Sequence, residues 1–167
     1  MKIRIAGKTP ESIVDGPGIR YTLYVQGCPH HCEGCHNPQT HDFNGGRDAD
    51  TDNILDEILE NPLLDGVTFS GGEPFCHANV LADLGEKIKK NGLSLMAYTG
   101  YTIEYLISHA NDENGYLKLL ETLDYLVDGP FVLNLKSYEA KFRGSTNQRI
   151  INVKETLSSK EIVIADI

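Results

Sequence analysis

The sequence predicts an α/β fold in which a mostly parallel sheet forms an open, partial β/α barrel. Strand-like and helix-like segments alternate from residue 51 onward, an order typical of parallel strands joined by helical crossovers. The chain has 167 residues, fewer than the roughly 250 that a complete eight-fold barrel needs. We therefore expect one domain, residues 1–167, with an ordinary hydrophobic core.

The first part of the chain predicts strands and then a long loop. Residues 3–6 and 11–15 are expected to be short strands, and the β-branched and aromatic run 19–25 a longer one. The turn signal Asp-Gly-Pro-Gly at 15–18 separates them. A loop that ends near Arg47 follows, and so long a loop inside a compact domain is usually functional or disordered.

The rest of the chain predicts alternating elements. Thr51 or Asp52 is expected to cap the first helix, Gly92 to end the second, and residues 129–149 to be mostly loop. We expect helices over 51–60, 78–91, 102–110, 116–123 and 153–157, and strands over 66–70, 93–98, 125–128 and 162–164.

Polar and glycine-rich segments follow the predicted strands where each one ends. These segments are the cysteine loop, Gly71–Pro74, Thr99–Gly100 and Asp128–Pro130. Because ligand sites in parallel α/β folds lie at the C-terminal ends of strands, the sequence predicts one site on this face.

The charge distribution argues against nucleic acid as a partner. The net charge is −9, whereas nucleic-acid binding depends on basic contacts to phosphate. Residues 1–135 carry −11 and residues 136–160 carry +4, which indicates a local docking or anion site late in the chain. No segment has the length and apolarity of a signal peptide or membrane span, so we expect a cytoplasmic protein with no membrane partner.

Three of the four cysteines lie within residues 28–35, as Cys28, Cys32 and Cys35. Thiolates suit zinc or iron–sulfur clusters. The spacing favours a cluster, because zinc sites usually pair their ligands across a longer stretch. Zinc stays open, as do free or redox thiols, since four histidines lie in or beside the loop: His30, His31, His36 and His41. Three thiolates would leave one iron of a cubane cluster open to a small molecule, and Cys76 is expected to be a small buried hydrophobe.

Two motifs together resemble the radical S-adenosylmethionine (SAM) superfamily. Cys-x3-Cys-x2-Cys follows a strand, and Ser70–Pro74, Ser-Gly-Gly-Glu-Pro, follows the next strand. The superfamily often has an aromatic residue before the third cysteine, near the adenine, whereas this chain has Gly34. Glycine is common there in the smallest subfamily, the activating components of anaerobic (class III) ribonucleoside-triphosphate reductases. Further stretches resemble that subfamily: 15–20, 35–38, 98–101, 126–131 and 142–149.

The resemblance implies a radical SAM type of partial barrel and a set of ligands. Cys28, Cys32 and Cys35 would hold three irons of a 4Fe-4S cluster, and the amino and carboxylate groups of S-adenosylmethionine would bind the fourth. The implied cofactor-binding residues are Gly34, Cys35, His36, Gly71, Gly72, Glu73, Thr99 and Asp128.

Each implied role has a structural alternative. The glycines would let the backbone approach the cofactor. Glu73 would pair with the ammonium group of S-adenosylmethionine or orient the loop, and its structural alternative is an acidic residue near a helix N-terminus. Thr99 and Asp128 hold the methionine part, directly or through a cation, or are strand-end turn residues. Arg143 and Arg149 bind the carboxylate, dock the reductase, or form a solvated basic loop. Asp15 and Arg20 are expected to position the turn between them.

The resemblance also implies an activity. One electron from the cluster would cleave S-adenosylmethionine, and the resulting 5′-deoxyadenosyl radical would take a hydrogen from a glycine of the reductase. No side chain is expected to act as an acid–base catalyst. The implied partners are the reductase, as protein substrate, and a flavodoxin, ferredoxin or thioredoxin-type electron donor. Alternatives are the activase of another glycyl-radical enzyme of the pyruvate formate-lyase type, a zinc-stabilised binding module without catalysis, and a simple electron-transfer protein.

Overall fold

The computed structural model describes residues 1–167 as one open sheet of seven strands. In chain order the strands are β1 Lys2–Ser12, β2 Arg20–Val25, β3 Arg47–Asp50, β4 Gly66–Gly71, β5 Ser94–Tyr98, β6 Tyr125–Asp128 and β7 Arg149–Asn152. Across the sheet their order is β3-β1-β2-β4-β5-β6-β7. The central strands β2, β4, β5 and β6 pair in parallel, whereas β1, β3 and β7 pair antiparallel. The predicted α/β class and the parallel centre of the sheet are confirmed.

Five helices accompany the sheet: α1 Thr51–Glu60, α2 Ala78–Lys90, α3 Ile103–Ser108, α4 Tyr116–Thr122 and α5 Val153–Ser159. The parallel strands lie side by side in chain order, so right-handed crossovers place their helices on the same face of the sheet. Helix α2 packs against α1 and α4, and α4 packs against α3 and α5. None of these helices is both long and apolar enough to cross a bilayer.

The two faces of the sheet bury different side chains, because successive residues of a strand point to opposite faces. The main core lies between sheet and helices and includes Val67 and Phe69 of β4 and Leu95 of β5. On the other face Met96, Val127 and Ile150 form a small separate cluster. That second face also buries polar side chains, and it leads to the site described below.

Arg20 is fully buried on the second face. Its guanidinium donates to Thr68 Oγ1 at 2.8 Å, to the Val67 carbonyl at 2.8 Å and to Ser94 Oγ at 2.8 Å. Burial lowers its pKa to about 10, because desolvation disfavours the charged form. The Thr68 hydroxyl in turn donates to the Asp15 carbonyl at 2.7 Å. Arg20 therefore braces the turn that carries Asp15, which is the positioning role expected of it.

Several predicted boundaries differ from the structure. Residues 3–6 and 11–12 belong to one bulged strand, β1, whereas residues 13–15 lie outside it. The side chain of Asp50, rather than Thr51 or Asp52, caps α1. Strands β3 and β7 were not predicted, since β3 is polar and β7 has only two buried residues. The predicted strand 162–164 is wrong, because this segment forms only the isolated bridge Ile151–Ile164.

Candidate metal centre

A cavity of about 220 Å³ lies at the C-terminal ends of the four parallel strands. Its wall includes segments that follow β2, β4, β5 and β6, as expected for a parallel α/β sheet. The lining residues that bear on the chemistry are Cys28, Cys32, Cys35, His36, His41, Gly71, Gly72, Thr99 and Gly129. The predicted convergence of polar strand ends on one site is therefore present.

Main-chain hydrogen bonds close the cysteine loop at its base. The Gly27 amide donates to the Thr40 carbonyl at 2.7 Å, and the Cys28 amide donates to the His41 carbonyl at 3.2 Å. Inside the loop the Cys35 amide donates to the Cys32 carbonyl at 3.1 Å, which is a tight turn between two thiols. The chain thus brings three cysteines to one wall of the cavity although they lie on irregular backbone.

The thiols of the loop are free of disulfides. Burial raises the pKa of Cys28, and the Asn37 amide lies 3.5 Å from Cys35 Sγ, where it donates a hydrogen bond to sulfur. Burial and the neighbouring His31 lower the pKa of His41. His41 Nε2 is buried and has no hydrogen-bond partner in the protein. This orphaned nitrogen in the cysteine loop is the kind of group that a bound cofactor satisfies.

These donors fit an iron–sulfur cluster with three protein ligands. No group of three His, Cys, Asp or Glu side chains is close enough to hold a single metal ion. Thiolates around a cubane cluster lie further apart, one at each iron. Cys76 lies outside the cavity and is exposed, so the expectation that it is buried is wrong.

The glycine loop after β4 packs directly on the base of the cysteine loop. The Gly72 amide donates to the Val25 carbonyl at 2.9 Å, and the Glu73 amide donates to the Gly27 carbonyl at 2.8 Å. A Cβ on Gly72 would lie 2.3 Å from the Gly27 oxygen. Gly71 has φ +96°, in the region that favours glycine. Both glycines are thus required for the two loops to meet and for backbone to face the cavity.

Glu73 is fully buried and does not line the cavity, although its carboxylate contacts residues that do. One carboxylate oxygen accepts hydrogen bonds from the Gly100 amide at 2.8 Å and from Thr99 Oγ1 at 2.9 Å. The same oxygen lies 2.6 Å from His30 Nε2 in the cysteine loop. The other oxygen accepts from the Phe75 amide at 3.0 Å. Glu73 therefore joins three loops of the site, which fits the loop-orienting alternative among its expected roles.

Asp128 is also fully buried and engaged within the protein. It accepts from Arg149 Nε at 3.0 Å and from the Ile103 amide at the start of α3 at 2.9 Å. Hydrogen bonds from Arg149 to Asp128 and Glu104 raise the pKa of the guanidinium. Arg149 is thus fixed between two carboxylates and is not a free anion-binding group.

The segment 129–148 borders the cavity on its outer side and contacts the cysteine loop. Gly34 has φ +73°, and a Cβ there would lie 2.6 Å from Leu133 Cδ1. The Phe131 ring lies 5.1 Å from the His36 ring, centroid to centroid, and lines the cavity. Leu133 therefore occupies the space that a side chain at position 34 would need.

Five of the eight expected cofactor-binding residues line the cavity: Cys35, His36, Gly71, Gly72 and Thr99. Gly34, Glu73 and Asp128 do not line it, and for all eight a direct contact with a cofactor stays a prediction. From the sequence, His30 was only one of four candidate zinc ligands, and Phe131 had no predicted role. Only position could have suggested them, since His30 lies between two cysteines and Phe131 follows the polar end of β6.

Comparison with known proteins gives consistent results. Residues 14–151 match the family described as "4Fe-4S single cluster domain". The anaerobic ribonucleoside-triphosphate reductase-activating protein of Escherichia coli (strain K12) is 33% identical over 153 residues, which cover 87% of this chain and 96% of that protein. The protein of the same name from Vibrio cholerae is 34% identical over 151 residues, 84% of this chain and 92% of that protein.

Two further similarities cover less of the other protein. The pyruvate formate-lyase-activating enzyme of Staphylococcus aureus (strain USA300) is 34% identical over 155 residues, 87% of this chain but 59% of that enzyme. Among solved structures, QueE from Escherichia coli superposes with a TM-score of 0.47 at 22% identity, over 61% of this chain and 54% of that one.

Proposed function

Because the chain belongs to the family of anaerobic ribonucleoside-triphosphate reductase-activating proteins, we propose that it installs a glycyl radical on such a reductase. It is an enzyme whose cofactors are a 4Fe-4S cluster and S-adenosylmethionine. The observation that carries the proposal is the cavity in which three cysteines and the Gly-Gly loop face each other. When bound, the reduced cluster would supply the electron for cleavage of S-adenosylmethionine, and this cleavage would supply the means of taking a hydrogen atom from the partner's glycine.

The chain's own residues hold and shield the reacting groups. Cys28, Cys32 and Cys35 are the ligands available to three irons. The backbone at Gly71 and Gly72 offers polar groups at the cavity wall, where no side chain intervenes. Glu73 keeps the glycine loop and the cysteine loop in register through His30 Nε2. We propose that Glu73 and Asp128 act by bracing these loops, since their oxygens are already occupied within the protein.

The fold is proposed to be a single domain, residues 1–167, with a partial barrel of the radical SAM type. The support is topological. The parallel strands run in chain order across the sheet, which puts the crossover helices on one face and leaves the other face, with its buried Arg20, to line an interior. A doubly wound sheet would instead reverse its strand order at a switch point.

The partner and the surroundings are part of the proposal. The relatives' names point to the anaerobic reductase, and the pyruvate formate-lyase-activating enzyme supports a glycyl-radical lyase as second candidate. The chain spans 96% of the first relative and 59% of the second. A flavodoxin, ferredoxin or thioredoxin-type protein would supply the electron. A reducing compartment such as the cytoplasm would keep the thiols free.

The test is anaerobic reconstitution with iron and sulfide. We expect about four irons per chain, brown colour, and cleavage of S-adenosylmethionine by the reduced protein. Addition of the organism's own reductase should give a glycyl-radical signal by electron paramagnetic resonance, and addition of pyruvate formate-lyase should not. A colourless protein with one zinc, or a cluster protein that leaves S-adenosylmethionine intact, would contradict the proposal.

A further inference from the structure

A groove opens on the surface beside the cysteine cavity. One wall is Ile13 and Val14, which follow β1, and the other is the segment 137–144. Its volume is about 400 Å³. His36 and Gly144 line both the groove and the cysteine cavity, so the groove leads from solvent to the cavity wall.

The groove exposes large apolar side chains at its edge. Ile13 is 75% exposed, Val14 is 70% exposed and Tyr138 is 89% exposed. These residues take no part in either core cluster. Exposed apolar side chains that cluster on one surface mark protein-interaction sites, whereas apolar residues scattered singly over a surface do not. These three lie around a single groove.

Basic residues lie in and beside the groove: Lys141 and Arg143 line it, and Lys136 directly precedes the segment that forms its second wall. Lys136 Nζ lies 4.8 Å from the centroid of the Tyr138 ring, and Lys141 Nζ lies 5.2 Å from that of Phe142. Neither lysine forms an ion pair, and Glu139 is the one acidic residue between 129 and 149. The net charge of the whole chain is −9. The groove is thus complementary to a segment that carries carboxylates and an apolar side chain.

We propose that this groove docks the protein substrate, through an extended acidic segment of the glycyl-radical partner that passes between Ile13–Val14 and Tyr138 toward the cavity. This inference rests on the proposed function. A hydrogen atom can be taken from a glycine only if the segment that bears it reaches the cavity, and the groove shares two lining residues with that cavity. The lysines steer the acidic segment, and the apolar edge holds it after contact.

The test compares two groove variants with two matched variants at the opposite end of the sheet. The groove variants are Ile13→Asp with Val14→Asp, and Lys136→Glu with Lys141→Glu. The controls are Leu63→Asp, 61% exposed before β4, and Lys90→Glu, exposed at the end of α2. Each reconstituted protein is assayed for binding to the organism's anaerobic reductase at several salt concentrations. Cleavage of S-adenosylmethionine by dithionite-reduced protein without partner reports on the intact metal centre.

We expect each groove variant to bind the reductase at least about tenfold more weakly, because apolar and charged anchors at an interface carry most of its affinity. Cleavage without partner should stay at the wild-type rate, and both controls should bind normally. Wild-type affinity should fall with salt, and the affinity of the lysine variant should fall less, since screening acts on the charges it has lost.

Three results would overturn the docking proposal. The groove variants could bind the reductase like wild type, or no more weakly than the controls. They could bind it normally but accept electrons from a flavodoxin-type donor more slowly, which would assign the groove to the donor. They could change the oligomeric state, which would assign it to a second copy of the chain. Failure of the proposed function would give a different result from failure of docking alone, because the wild-type protein itself would then cleave no S-adenosylmethionine. In that case the docking proposal would fail as well.

Discussion

Replacement of Gly72 by alanine tests the contact between the glycine loop and the cysteine loop. The new Cβ would lie 2.3 Å from the Gly27 oxygen and 3.0 Å from the Thr40 oxygen. Both are main-chain atoms, so no side chain can rotate away. Gly72 does not lie in the left-handed region, and the effect is therefore steric rather than conformational.

The expected cost follows from these distances. Ordinary contact begins near 3.4 Å, so the two loops must separate by about 1 Å. Overpacking of this kind costs about 1–3 kcal/mol. The Gly27 oxygen also accepts from the Glu73 amide at 2.8 Å, and a weakened hydrogen bond adds about 0.5–1.5 kcal/mol. A total of about 1.5–4.5 kcal/mol corresponds to a Tm lower by roughly 3–18 °C in a chain of this size.

The assay is thermal unfolding of the metal-free protein under anaerobic, reducing conditions, followed by iron analysis after reconstitution. Gly7→Ala is the matched control, because no atom lies within 4 Å of a Cβ at that position. Since Gly27 directly precedes Cys28, the Gly72 variant should also bind less iron. A Tm equal to those of wild type and Gly7→Ala, with full iron content, would refute the packing argument.

Three further predictions concern the rest of the site. Glu73→Gln should lower the free energy of unfolding by about 2–4 kcal/mol, because one acceptor oxygen becomes an NH2 donor that faces buried donors. Urea titration measures this free energy. A decrease below about 1 kcal/mol would count against the bracing role of Glu73. Phe131→Ala should weaken S-adenosylmethionine binding severalfold without loss of iron, since the Phe131 ring lines the cavity beside His36. Phe131→Tyr is the control. Unchanged affinity in the alanine variant would mean that Phe131 does not contact the cofactor. Cys32→Ala should lose the cluster whereas Cys76→Ala keeps about four irons per chain, and equal loss in both variants would mean a different ligand set.

The helices and central strands were predictable because their patterns are local. β-branched and aromatic residues mark β2, and the apolar periodicity of α1 and α2 survives into the structure with ends that shift by at most a residue. The edge strand β3 was not predictable. Its residues, Arg47–Asp50, are half-buried or exposed, and they form a strand only because β1 offers main-chain partners. Such pairing depends on a distant segment and leaves no pattern in the side chains.

The candidate site divides in the same way. The cysteine spacing and the Gly-Gly-Glu-Pro stretch predicted where the chemistry lies, because each is a short segment whose geometry is set by its own residues. For the segment 129–148 the sequence predicted little more than a loop. Its contact with the cysteine loop, through Leu133 at Gly34, joins residues about a hundred positions apart and could not be read from either alone.

By itself, the amino-acid sequence determined the class of fold and the end of the sheet where the three cysteines lie. Each of these depends on residue type and short-range spacing. Only the tertiary structure decided which polar residues face the cavity and which brace it. Glu73 and Thr99 both follow strand ends, yet Thr99 lines the cavity and Glu73 turns inward to His30 and Gly100. The direction of a side chain in a loop is set by its hydrogen-bond partners from other loops, and these come together only when the chain folds.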